Sequence, residues 1–185
     1  MEWILASASP RRRELLKTYI PTFAVSPAKG EEKAAIGLTP QQLVCALARQ
    51  KAEEVAALPA AQGKAVIGSD TVVAYAGEVL GKPKDEADAK RMLTMLSGQV
   101  HQVYTGVCVV LPSGERIVEA DCTDVEFEVL SEGAIAAYIA TGSPMDKAGA
   151  YGIQDGGLVK GIKGSYSNVV GFPCELFEKM LKKIK

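Results

Sequence analysis

Apolar and polar residues alternate along this chain with two different periods. Ile4-Leu5 is a short apolar run that predicts a first strand, and the amphipathic segment after it predicts a helix running through Lys17. Thr22 to Ser26 reads as extended, and Pro27 to Gly37 as a polar loop. Pro40 then opens a longer helix, in which Val44, Leu47, Ala48, Val55 and Leu58 recur at helical spacing. Ala65 to Ala74 is a β-rich apolar run, Gly77 suits a hairpin turn, and the returning strand leads to Gly81-Lys82-Pro83. Asp85 caps a helix whose Ala89, Met92, Leu93 and Leu96 share one face. Val100 to Leu111 and Arg116 to Val129 read as two long strands of an antiparallel hairpin, turned at Pro112-Ser113-Gly114. Glu132 to Ala140 predicts a short helix, Gly142 to Gly164 a glycine-rich stretch, and Phe172 to Lys183 a closing helix with lysines in its last turn.

Helices alternate with strands at first and a long hairpin fills the middle, so the pattern predicts an α/β fold with a mixed sheet flanked by helices. With 185 residues, 48% of them hydrophobic, the chain suffices for one domain spanning residues 1–185, of one or two lobes. Charge narrows the function. Twenty-one basic residues against 22 acidic argue against a coat for nucleic acid or an anionic membrane, and the basic residues lack interleaved aromatics. Any phosphate binding must be local. Cys45, Cys108, Cys122 and Cys174 stand far apart without metal-ligand spacing, which predicts a reduced, cytosolic chain. No stretch reads as a signal peptide or a membrane span.

Candidate chemistry begins at Ala8-Ser9-Pro10-Arg11-Arg12-Arg13-Glu14. Ser9 is a good N-cap and Pro10 fits the first helical position, so three guanidinium groups sit where a helix start favours anions. Arginine's planar fork grips phosphate oxygens in pairs; the alternative is a solvated basic patch. Asp70 is the second informative place, a carboxylate inside the run Gly68-Ser69-Asp70-Thr71-Val72-Val73. In a buried strand it must be paired, metal-bound or neutralised. In a turn it would merely cap. Alternation places Asp70 and Thr71 on opposite faces, and Gly68 is a candidate bulge that would let both reach one cleft. Lys51 lies in the apolar stripe of its helix, either snorkelling to the edge or aimed into a site.

Familiar sites are missing: no phosphate-binding G-x-x-x-x-G-K-[ST], no G-x-G-x-x-G, no H-E-x-x-H and no G-x-S-x-G. The single histidine, His101, reads as a structural hydrogen-bonding group. What remains are cations, Arg11 to Arg13, Lys51 and Lys82, and acids able to hold a divalent metal, Asp70 with Glu31 or Glu32. Together they suit phosphoryl transfer, with Mg2+ or Mn2+ as the fitting ion because the donors are oxygens.

At these residues the chain resembles the Maf proteins, nucleoside triphosphate pyrophosphatases. The matching pieces are Ser9-Pro10-Arg11-Arg12, Gly68 to Val73, Gly81-Lys82-Pro83, Leu96-Ser97-Gly98 with His101 and Thr105-Gly106, Asp146 to Gln154, and Asn168-Val169-Val170-Gly171, in family order across nearly the full length. The resemblance implies an elongated, strongly twisted mixed sheet with a cleft between two lobes, as in the inosine triphosphatase-like fold. It also implies hydrolysis of a nucleoside triphosphate to the monophosphate and pyrophosphate, with Asp70 as proton acceptor and Glu32 and Asp70 at the metal. Ser9, Arg11, Arg12, Lys51, Lys82, Thr71 and Gln154 are then the substrate-binding residues. Arg11, Thr71 and Gln154 resemble the dTTP/UTP branch. Gln154 offers a donor and an acceptor that suit the O4 and N3–H edge of thymine or uracil; bracing a loop is its other reading. Two departures stand out. Thr141-Gly142-Ser143-Pro144 replaces the family's common Thr-Gly-Glu-Pro, and Ser26 to Glu32 departs from the usual acidic loop except at its final acid. The alternative function is a nucleotide sensor that binds without hydrolysis and acts in growth or septum control. A homodimer is the default assembly.

Overall fold

A parallel, twice-covered sheet explains the first third of the chain. In the computed structural model, which describes residues 1–184, β1 (Trp3–Leu5) lies parallel to both β2 (Ala24–Val25) and β3 (Ala65–Tyr75). The chain divides into two compact units: Met1–Asp70 with Thr105–Asp121 and Gly171–Lys185, and Thr71–Tyr104 with Cys122–Val170. Three strands run from one unit into the other: β3, β5 (Val100–Val110) and β6 (Arg116–Phe127). The seven-stranded mixed sheet has the order β2-β1-β3-β5-β6-β7, with β4 (Glu78–Leu80) paired to the far half of β3 and β7 being Val159–Lys163.

In the first unit, alternation sorts the strand side chains onto two faces. Leu5, Ile67, Val107 and Val109 pack with Leu16 of α1 (Pro10–Lys17) and with Phe177 and Met180 of the C-terminal helix Cys174–Lys183. Ile4, Val66, Cys108 and Val110 pack with Ala48, Ala52 and Val55 of α2 (Pro40–Ala56). Thr39 and Gln42 form a reciprocal capping box that starts α2. Both sheet faces are therefore buried, which is why these strands read as continuous apolar runs.

The second unit has one core. Val73, Leu80, Val103, Val125 and Phe127 meet Met92, Leu93 and Leu96 of α3 (Glu86–Leu96) and Ile135 and Ile139 of α4 (Glu132–Ala140). Ala76 and Gly77, at φ of 50° and 79°, make the tight turn between β3 and β4. The glycine-rich stretch is more structured than its composition suggests: it holds three short 3-10 turns, Ser143–Asp146, Ala148–Ala150 and Ile153–Asp155, and then β7. A short helix, α5 (Tyr166–Val170), follows, so the closing helix α6 starts at Cys174 rather than Phe172. None of the four cysteines forms a disulfide, and no helix among the described residues is long and apolar enough to cross a membrane.

Candidate active site

Asp70 sits in β3, and its side chain is 11% exposed. Gly68 marks a close approach of another element. β3 runs unbroken, and a Cβ on Gly68 would lie 2.3 Å from the Ala48 carbonyl oxygen and 2.7 Å from the Ala52 amide nitrogen of α2. Gly106 in β5 meets Val44 in the same way, at 2.3 Å from its carbonyl oxygen. Two glycines thus let α2 settle directly on the sheet. That approach delivers Lys51, one residue before Ala52, to the carboxylate: its Nζ donates to Asp70 Oδ1 at 2.6 Å and pairs with Glu32 Oε1 at 2.7 Å. Glu32 is 57% exposed and more screened, so Asp70 holds the ammonium more firmly. Lys51 therefore does not snorkel; it is the buried carboxylate's partner.

Glu32 reaches this position because α2 grips its loop. Glu54 accepts the backbone N–H groups of Lys29 and Gly30, while Gln50 donates to the Glu31 carbonyl at 2.6 Å and accepts from Lys33 N–H at 3.0 Å. Gln50 and Glu54 flank Lys51 on one helix face. Sequence reasoning passed over them, although their i, i+4 spacing around a candidate site residue was a usable signal. Between Glu31 and Glu32, the fold selects Glu32 by its side chain and Glu31 by its carbonyl.

At the start of α1, Ser9 caps the helix, its hydroxyl accepting from Arg12 N–H at 3.4 Å, while Arg13 N–H bonds the Ser9 carbonyl. Pro10 has no N–H. Positive charge here is consequently offered by guanidinium groups more than by backbone amides. Arg12 is half-buried and fixed: Nε donates to the Gly171 carbonyl at 2.8 Å and Nη1 to Ser7 Oγ at 3.3 Å. Gly171 has φ of 125°, a conformation open to glycine, which gives its place in the Asn168 to Gly171 run a physical reason. Burial pulls the Arg12 pKa below its ordinary value, and Asp70 acts against that shift. The guanidinium remains charged. Ser7 is a further residue the sequence did not single out.

Within this unit Arg12 and Lys51 are offset by Asp70 and Glu32. A polyanion entering would need more positive charge than that pair supplies. Glu32 and Asp70 are oxygen donors sharing one ammonium, and Mg2+ is commonly held by one or two carboxylates together with substrate phosphates, so the donor set fits a divalent cation. Among the described residues no three or more His, Cys, Asp or Glu side chains gather for a metal, so substrate oxygens and water would complete the shell.

Arg11, half-buried in α1, completes the candidates of the first unit, and the second unit carries the others. Thr71 follows Asp70 in β3 and is half-buried, and Lys82 is exposed after β4. Gly149 N–H donates to the Gly81 carbonyl, tying the Ala148–Ala150 turn to the loop that carries Lys82. Gln154 is exposed on the Ile153–Asp155 turn. His101 is fully buried in β5, its Nε2 2.7 Å from the Tyr151 hydroxyl and its ring edge-on to Phe127 and Tyr151. It is a structural group, as expected. Asn168 is structural too, donating to the Val103 carbonyl of β5 and to Thr123 Oγ1 of β6.

The family model described as Maf-like protein matches residues 2–184. The chain is 51% identical over 179 residues to the dTTP/UTP pyrophosphatase of Thermococcus gammatolerans, covering 96% of this chain and 94% of the relative. It is 49% identical to the dTTP/UTP pyrophosphatase of Agathobacter rectalis, covering 98% and 96%. The structure of the Staphylococcus aureus Ham1 protein aligns with a TM-score of 0.55 at 18% identity over 100% of both chains, a likeness of fold.

Proposed function

Because this chain belongs to the Maf-like protein family, we propose that it hydrolyses dTTP, UTP and modified pyrimidine triphosphates to the monophosphate and pyrophosphate, with a divalent cation, in the cytoplasm. The observation that carries this reading is the buried Asp70 carboxylate held 2.6 Å from Lys51, which also pairs with Glu32. Relatives of about half identity along nearly the whole chain bear the name dTTP/UTP pyrophosphatase, and four cysteines without a disulfide suit a reducing compartment.

Asp70 takes the proton of the attacking water. As that proton leaves, the water oxygen joins one phosphorus of the α–β anhydride, and the bridging oxygen departs with the other. Lys51 holds Asp70 in place before substrate arrives and turns to the triphosphate when it does. Arg12, fixed by Gly171 and Ser7, grips phosphate oxygens without having to be ordered first, and Arg11 and Lys82 add charge. Each such charged contact contributes roughly 1.5–3 kcal/mol. Glu32 and Asp70 would hold a Mg2+ or Mn2+ ion, which would supply charge neutralisation when bound. Gln154, Thr71 and Arg11 choose the base.

The deciding experiment is pyrophosphate release from dTTP, UTP, dCTP, CTP, ATP and GTP, each with Mg2+, with Mn2+ and with EDTA. Turnover of dTTP and UTP that EDTA abolishes is the expected outcome. Tight binding of dTTP without pyrophosphate from any nucleotide would replace catalysis with sensing.

A further inference from the structure

Ser143 is where the family pattern has glutamate, yet a carboxylate is present beside it. Ser143 Oγ donates to Asp155 Oδ2 at 2.6 Å, and the Tyr138 hydroxyl of α4 donates to the same oxygen at 2.6 Å. The Tyr138 oxygen also accepts Gly152 N–H at 2.9 Å. Lys147 Nζ closes the group, donating to the Ser143 carbonyl at 2.7 Å, to Ser143 Oγ at 2.9 Å and to Asp146 Oδ1 at 3.0 Å. Burial, and then the bond to Asp155, raise the Tyr138 pKa, so the phenol keeps the proton it donates. The Lys147 stem crosses Gly152 so closely that a Cβ there would lie 2.6 Å from Lys147 Cε. One phenol therefore holds both ends of a turn, Gly152 before it and Asp155 at its close, and Gln154 stands between them.

The other side of that turn is open to solvent. There Gly152, Ile153, Gly156 and Leu158 border a solvent-open pocket of about 250 Å3, so the polar bonds secure the turn on the side away from it. This matters for what Gln154 can discriminate. A glutamine amide presents donor and acceptor in either order by turning over, and the pairing edges of uracil and cytosine differ by that reversal. Selectivity then depends on how firmly the backbone fixes the line along which the amide approaches, since a loose turn lets the flipped amide find a second set of partners.

We propose that Tyr138, Ser143 and Asp155 are positioning residues for base selection, holding the Gln154 turn so that thymine and uracil nucleotides are preferred over cytosine nucleotides. This rests on the reading of Gln154 as the residue that meets the base.

The test compares kcat/KM for dTTP and dCTP in wild type, Asp155→Ala, Ser143→Ala, Gln154→Ala and the Asp155→Ala/Gln154→Ala double variant, with thermal melts on each. Asp155→Ala is expected to lower the dTTP-over-dCTP ratio by about tenfold, mainly through a higher KM for dTTP, and Ser143→Ala by about threefold. In the double variant the ratio should equal that of Gln154→Ala alone. A purely structural role would depress both substrates equally and leave the ratio in place. If Gln154→Ala loses discrimination while Asp155→Ala and Ser143→Ala keep it, the positioning role is overturned and the reading of Gln154 survives. If Gln154→Ala itself keeps the wild-type ratio, both fall. Should Asp155→Ala fail to fold, Ser143→Ala, which removes one hydroxyl, decides the matter alone.

Discussion

The two units handle polar groups in opposite ways. In the unit containing Met1–Asp70, the candidate site is built from full charges in contact, Lys51 between Asp70 and Glu32, with Arg12 braced by two oxygens. In the unit containing Cys122–Val170, the turn that bears Gln154 hangs on a phenol and a hydroxyl meeting one carboxylate, and His101 is paired with the buried Tyr151 hydroxyl. Charge pairs suit a place where a polyanion must be met and a proton taken. Hydrogen bonds of fixed direction suit a place where one base edge must be told from another.

Removing the reactive charge without changing its shape gives the largest expected effect. Asp70→Asn should lower kcat by roughly 10^3-fold, while the melting temperature stays close to wild type because the amide oxygen still accepts from Lys51. Single-turnover pyrophosphate release reads the first and a thermal melt the second. Retained turnover would move the base elsewhere.

Next comes the docking that brings Lys51 to Asp70. Gly68→Ala forces a methyl against the Ala48 carbonyl, where its Cβ would sit at 2.3 Å, so a loss of roughly 3 kcal/mol is expected in denaturant unfolding. Catalytic loss should accompany it, since α2 must lift and carry Lys51 away. Loss of stability with full activity would separate the two.

This glycine also marks the limit of what the sequence disclosed. Asp70, Lys51 and Arg12 were legible because a charge in an apolar run or at a helix start is locally improbable and has to be explained by a partner. The order of strands and helices was legible for a similar reason, through periodicity. At Gly68 the sequence pointed to a bulge and did not disclose the close neighbour, because a glycine in a strand signals either and the neighbour, α2, lies elsewhere in the chain. Gln50 and Glu54 were passed over because they act on the backbone of another segment, and their i, i+4 spacing was the one local trace of it; Ser7 was passed over because its hydroxyl serves the Ser9 N–H and the Arg12 guanidinium. Inside the glycine-rich stretch the turns and β7 escaped notice because Tyr138 and Asp155, which organise the Gln154 turn, are ordinary residues until the chain folds.

Acid should strain the second unit through its histidine. Burial holds His101 well below its ordinary value, at about 4, and its Nδ1 has no hydrogen-bond partner, so a second proton would be a buried charge without an acceptor. Since the folded pKa lies below the unfolded one, the stability contributed by neutral His101 is complete above about pH 6.5. It declines as the pH falls toward 4. Between pH 7.5 and 4.5 the loss attributable to this group is roughly 2–3 kcal/mol. Urea unfolding at both values should show it, and His101→Gln should remove that part of the slope. An equal slope in the variant would place the acid sensitivity among the paired carboxylates, such as Glu53 and Asp88, whose partners hold them below their ordinary values.

The smallest effect tests whether the charged unit also depends on directed hydrogen bonds. Gln50 makes two, to the Glu31 carbonyl and from Lys33 N–H, one on each side of Glu32. The loop it holds is exposed, so each bond contributes about 1 kcal/mol or less. Gln50→Ala should therefore leave kcat at saturating Mg2+ near wild type and raise the Mg2+ concentration for half-maximal activity by about threefold. The cause would be that Glu32 spends part of its time away from Lys51. An unchanged Mg2+ requirement would mean that Glu54, through Lys29 and Gly30, holds the loop by itself, and Glu54→Ala should then produce the shift that Gln50→Ala did not.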